Sequence, residues 1–222
     1  MRFAIPLLLA VTAMGLVACS GGDDEAATPV PLEQRFLTAD EAPDSSPDPV
    51  EMRETTADFA IFIPALSDRS INPDPEEMNE VFEDAGFEAA GWEPRFFGAT
   101  HLDTSPHVRS SYVELGSEDA ASSARDWLEA DLQKPCPTSC AGKVRTFEVG
   151  DIPEARGVER IATAEDIERL GTEDERPDER YWIGFTVGPV VYTVDLQGPP
   201  GSVSEDQAQE IAAAYYERLT GT

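Results

Sequence analysis

The sequence predicts an α+β fold, a single domain over residues 55–222 built mainly of antiparallel sheet with helices packed on one face. Three observations carry that expectation. In the clearest hairpin, Tyr181, Ile183, Phe185 and Val187 alternate, Gly188-Pro189 turns the chain, and Val190, Tyr192, Val194 and Leu196 alternate back. A strand pair followed by a helix occurs twice, and the helices open on the same triplet, Ser117-Glu118-Asp119 and Ser204-Glu205-Asp206. Good helix starts converge on such triplets, so they suggest a repeat without establishing one. The third observation is that the helical stretches carry matching caps and apolar stripes.

The elements follow in order. Residues 1–18 read as a signal peptide: Arg2 is the positive head, and Ala4 to Val17 is an uncharged apolar run. That run falls short of the roughly 20 residues needed to span a bilayer as a helix. It ends in Leu16-Val17-Ala18-Cys19, which resembles the lipobox of bacterial lipoproteins. The resemblance implies cleavage before Cys19 and a diacylglyceryl group on its sulfur, hence a chain held on the outer face of the cell membrane. Two acyl chains anchor stably where one binds only marginally. The alternative is an ordinary secretory signal with an incidental cysteine. Residues 19–54 are rich in Asp, Glu, Pro, Ser and Thr, too polar to offset chain entropy, and are expected to be a disordered tether. Arg35 to Ala42, with Phe36 and Leu37, is the stretch of it best able to pack on the domain.

Asp74, Pro75 and Glu77 form a capping box with proline at the first helical position. Met78, Val81, Phe82 and Ala85 then mark one helical face, and Gly86 ends it. Trp92–Ala99 and Val108–Leu115 read as strands, the second with less clean faces. Ser117 caps a helix with an acidic first turn, whose buried stripe is Ala121, Ala124, Leu128 and Leu132. Val144–Val149 and Arg156–Thr163 are short strands around the Gly150–Pro153 turn. Glu165–Leu170 suits one helical turn, and Thr172–Arg180 reads as a charged loop before the hairpin. In the last helix Ser204 and Gln207 make a capping box. Its buried face is expected to be Ala208, Ile211, Ala212, Tyr215 and Leu219, packed on the hairpin side that carries Phe185 and Val194.

Several short pieces resemble uncharacterised secreted lipoproteins of high-GC Gram-positive bacteria. They are Phe36-Leu37-Thr38-Ala39-Asp40, Pro135-Cys136-Pro137, Asp151-Ile152-Pro153-Glu154-Ala155, the Gly188 hairpin and Tyr215-Tyr216-Glu217-Arg218-Leu219. The resemblance implies a sensor-type module or a fold similar to the Mog1/PsbP class, and it brings no catalytic residues.

Composition narrows the function. A net charge of −28 excludes nucleic acid as a partner, because a phosphate backbone is bound by neutralising it. It also disfavours docking on anionic lipid. Outside the cytoplasm Cys136 and Cys140 are expected to form a disulfide, a local staple worth about 2 kcal/mol. Their C-x3-C spacing differs from the redox-active C-x-x-C, although with a distant histidine it resembles the copper site of Sco-type assembly proteins. The two histidines, His101 and His107, share one loop, with a spacing that suits neither a helix face nor a strand face. The acid runs Asp23-Asp24-Glu25 and Glu173-Asp174-Glu175 lack the loop pattern of a calcium site and read as solvated charge. No catalytic motif, and so no cofactor, is indicated. Of the aromatics Trp92, Phe96, Phe97, Tyr181, Trp182 and Tyr192, most are expected in the core, with a pocket between sheet and helices the place for any that meet a ligand. The sequence therefore favours a lipid-anchored, extracytoplasmic, non-catalytic module. Its partner would be a small or lipid-like ligand or an envelope protein. An envelope enzyme or copper-handling protein using the His101–His107 loop and the cysteines is the alternative.

Overall fold

A computed structural model of the chain describes residues 30–31, 34–47, 54–56, 75–98, 106–134, 142–161 and 179–222. Eight strands form one antiparallel sheet: β1 (Ser45–Pro47), β2 (Glu54–Thr56), β3 (Ala89–Phe97), β4 (His107–Glu114), β5 (Lys143–Phe147), β6 (Arg156–Ile161), β7 (Glu179–Val187) and β8 (Val190–Gly198). The order across it is β1-β3-β4-β8-β7-β6-β5, with β2 also paired to β3. Three helices are described, α1 (Pro75–Asp84), α2 (Glu118–Leu132) and α3 (Glu205–Thr220). The α+β class and the single sheet are as the sequence predicts. Among the described residues no helix is long and apolar enough to cross a membrane.

The placement of the helices departs from the prediction: they cover both faces of the sheet, not one. Side chains alternate along a strand, and two separate cores sort by that parity. Tyr192 and Val194 of β8 and Ile183 and Phe185 of β7 pack with Ile211, Tyr215 and Leu219 of α3. Their chain neighbours Val191 and Trp182 pack on the opposite side, with Ala121, Ala124 and Leu128 of α2 and Met78 and Phe82 of α1. The physical cause lies in β8, every residue of which is buried. Val190-Val191-Tyr192-Thr193-Val194 is a near-continuous apolar run, the pattern of a strand covered on both sides rather than one.

The helices themselves form for the reasons legible in the chain. Ser204 accepts the backbone N–H of Gln207 at 3.2 Å, and Gly221 closes α3 in the left-handed region at φ 71°. All five residues expected to be buried in α3 are buried, and Phe185 stands edge-on to Tyr215 at 5.7 Å. Ser117 caps α2 in the same way through Ala120. On α2 the buried stripe is Ala121, Ala124 and Leu128, joined by Arg125 and Asp131, while Leu132 is half-buried at the end of the helix. The Asp74 cap and the 165–170 turn lie outside the described residues. For α3 the consequence is measurable: Ile211→Ala should cost about 2–5 kcal/mol in urea melts, and Glu210→Ala, off that stripe, within about 0.5 kcal/mol of nothing.

The packed region also begins earlier than residue 55. Residues 34–47, within the span that composition assigns to a disordered tether, lie across the α3 side of the sheet as a strap and end in β1. Phe36, Leu37 and Ala42 enter the α3-side core. Arg35 forks onto Glu114 at 2.7 and 3.3 Å and lies over the Tyr112 ring. Arg218 of α3 reaches back to the carbonyls of Gln34 and Phe36 and to the Glu41 carboxylate. Tyr215 donates its hydroxyl to the Arg35 carbonyl. The strap holds because three apolar residues and a matched set of charges outweigh the polar composition around them.

That arrangement leaves its mark on titration. Burial pushes the Tyr192 phenol up to about 12 and the fully enclosed Tyr215 well above the ordinary 10.0. Unfolded tyrosines ionise near 10.0 while these two keep their protons, so the unfolded state binds fewer protons across that window. Stability should be at full strength below pH 10 and fall as pH rises from there to about 12, by up to roughly 1.4 kcal/mol per unit for each tyrosine. Urea midpoints read alongside tyrosinate absorbance check this; midpoints that stay level across the window would contradict it.

Candidate functional site

The face opposite α3 carries a polar floor at the end of the sheet farthest from the Gly188 turn. The register places it. Arg160 of β6 lies directly across from Arg180 of β7, which faces Gln197 of β8, which faces His107 of β4. In the adjoining row Val158, Trp182, Asp195 and Arg109 face one another in turn. Arg160, Arg180, Asp195 and Gln197 are all buried, and His107 and Arg109 half-buried. Buried charges persist where they are paired and hydrogen-bonded. Here the Arg180 guanidinium meets Asp195 through Nε and Nη2 at 2.6 and 2.5 Å, a bidentate pair between neighbouring strands.

Leu132, Val158, Arg160, Arg180 and Trp182 line a pocket beside this floor, where the C-terminal end of α2 leaves the sheet. Trp182 can take its place because residue 184 is glycine. A Cβ there would come within 2.3 Å of the indole ring. Arg160 spans from β6 to the helix end, donating to the Leu132 carbonyl at 3.4 Å. The space it encloses is about 10 Å3, room for about one water molecule, far below the roughly 300–1,000 Å3 of a site for a whole drug-sized ligand. Nη1 of Arg180, which Asp195 does not reach, is buried away from solvent and has no hydrogen-bond acceptor among the described residues.

Of the residues singled out from the sequence, His107 is placed on this floor, with its ring 5.5 Å from Phe96. Trp182 is both core and pocket wall, as expected for an aromatic between sheet and helix. His101, Cys19, Cys136 and Cys140, and both acid runs, lie outside the described residues. Among the described residues no three His, Cys, Asp or Glu side chains gather as a metal site would require. Sequence reading missed Arg160, Arg180 and Asp195. The signal was a charge set between apolar neighbours in a strand, as in Val194-Asp195-Leu196.

Neither a protein-family model nor a curated protein matches the chain. In three dimensions it is similar to the extracellular domain of PknH from Mycobacterium tuberculosis. The TM-score is 0.54 at 15% identity, covering 88% of this chain and 99% of that one. At that identity the likeness is one of fold.

Proposed function

We propose that this chain is an extracytoplasmic binding module, held to the outer face of the cell membrane by lipid on Cys19, whose small ligand meets the sheet face that carries the Arg160–Arg180 floor. The observation that carries the reading is a set of buried charged and polar side chains, Arg160, Arg180, Asp195 and Gln197, gathered on the sheet face opposite the strap. The lipobox and the apolar leader support the location. So does a fold shared with a domain of PknH described as extracellular.

Two experiments test the parts separately. Cys19→Ala should abolish palmitate labelling and release the protein from the membrane fraction; a wild type that takes no label yet stays in that fraction would refute the anchor. Native mass spectrometry of protein purified from its own envelope should reveal a co-purifying small molecule that Arg160→Gln loses. A ligand retained in full by that variant would place binding elsewhere.

A further inference from the structure

Resting on the anchor and the binding face proposed above, we infer that the strap end of the domain faces the bilayer and the Arg160–Arg180 floor faces away from it. What meets the floor is then a polar molecule arriving through water, not a lipid drawn from the leaflet. The strap sets where the anchored end joins the domain. Val30 packs on the α3-side core, and its carbonyl accepts a hydrogen bond from Arg35 Nε at 2.9 Å. Arg35 forks onto Glu114, which lies across from Val190, the first residue of β8 after the Gly188 turn. Arg218, in the last turn of α3, donates to the Gln34 carbonyl. The chain therefore enters on the α3 side, at the Gly188 end. The floor lies on the opposite face and at the opposite end: Gln197 is seven residues along β8 from Val190, about 24 Å at the rise of a strand.

Only 11 residues separate Cys19 from Val30, and a chain of that length spans at most about 40 Å. For the floor to touch the bilayer, the domain must turn over through both its length and its thickness. Val30 would then stand at least about 24 Å above the lipid, a restriction that removes much of the freedom of so short a chain. A net charge of −28 further opposes lying flat on anionic lipid. The chemistry of the floor agrees. Arg160, Arg180, Asp195 and Gln197 are charged and polar, and the space beside them has room for about one water molecule, so no acyl chain is accommodated there.

Helix α2 supplies a ruler for the test, since it runs from the Gly188 end, where Leu115 donates to the Pro189 carbonyl, to the floor, where Arg160 meets Leu132. Glu118 and Gln133 are exposed at its two ends, about 22 Å apart along the axis. A donor dye is coupled at Glu118→Cys or at Gln133→Cys in the lipidated full chain, which is bound to phosphatidylcholine vesicles carrying an acceptor dye on a trace of headgroups. The parent chain, treated alike, gives the background from Cys136 and Cys140. The expected result is clearly stronger energy transfer from position 118 than from position 133. Equal transfer from the two sites, or stronger transfer from position 133, overturns the orientation and leaves the anchor standing. A chain that does not bind the vesicles through lipid removes the anchor and the orientation together. The molecule stripped from envelope-purified protein, and lost in Arg160→Gln, should partition into water. A diacyl lipid recovered in its place overturns the ligand class.

Discussion

A chain that begins at residue 55 should be at the edge of unfolding. It would lose Phe36 and Leu37, which are 3% and 1% exposed, and uncover Tyr112, whose ring Phe36 meets at 5.5 Å. Truncating a buried Leu costs about 2–5 kcal/mol and a buried Phe about 3–5 kcal/mol, while a whole domain holds only about 5–15 kcal/mol in reserve. Removing the strap also strips Arg218 of the Glu41 carboxylate and Arg95 of the Leu37 carbonyl. Leu37→Ala in the intact chain should show the single-residue share of this loss without changing the fold. Near-ultraviolet circular dichroism and urea midpoints of the full and shortened chains measure it. Equal midpoints would mean that residues 34–47 rest on the domain without stabilising it.

Asp195→Ala should be the most damaging single change on the opposite face. It leaves the Arg180 guanidinium buried without its carboxylate, and breaking a buried pair from one side costs about 3–5 kcal/mol. The exposed pair between Lys134 and Glu77 makes the contrast, since both side chains are about half exposed. Glu77→Ala should cost at most about 1 kcal/mol, and less in high salt. Replacing Arg180 and Asp195 together by apolar residues of similar volume should restore much of the stability while removing the floor's buried charge. That double variant separates the structural use of the pair from its use in binding. If Asp195→Ala and Glu77→Ala melted alike, the pair would not be the buried anchor described here.

What could be read from the chain, and what could not, divides along one physical line. Local signals were sufficient for the Tyr181–Leu196 hairpin and for α3, where alternation, caps and a four-residue stripe all agree. The two-sided burial of the sheet was harder, because Tyr192, Val194 and Leu196 supply a complete face by themselves and draw attention from Val191 and Trp182. The strap was half visible: Phe36 and Leu37 stand out, but the partners that hold residues 35–37, Ser110, Glu114, Tyr215 and Arg218, are 73 or more residues away. The pocket was not legible at all. Arg160 sits inside a short strand and Arg180 at what reads as the end of a charged loop. Only the strand register puts them side by side and brings Asp195 between Trp182 and Arg109.

The central claim is that the α2 face, not the strap-covered α3 face, is where this protein meets its ligand. Hydrogen exchange of the full chain purified from its envelope, compared before and after stripping of what co-purifies, tests that claim most directly. The account predicts slower exchange with ligand present in β6, β7 and the last turn of α2, with α3 and residues 34–47 unchanged. Protection confined to α3 or the strap, or none anywhere while ligand is bound, would contradict it.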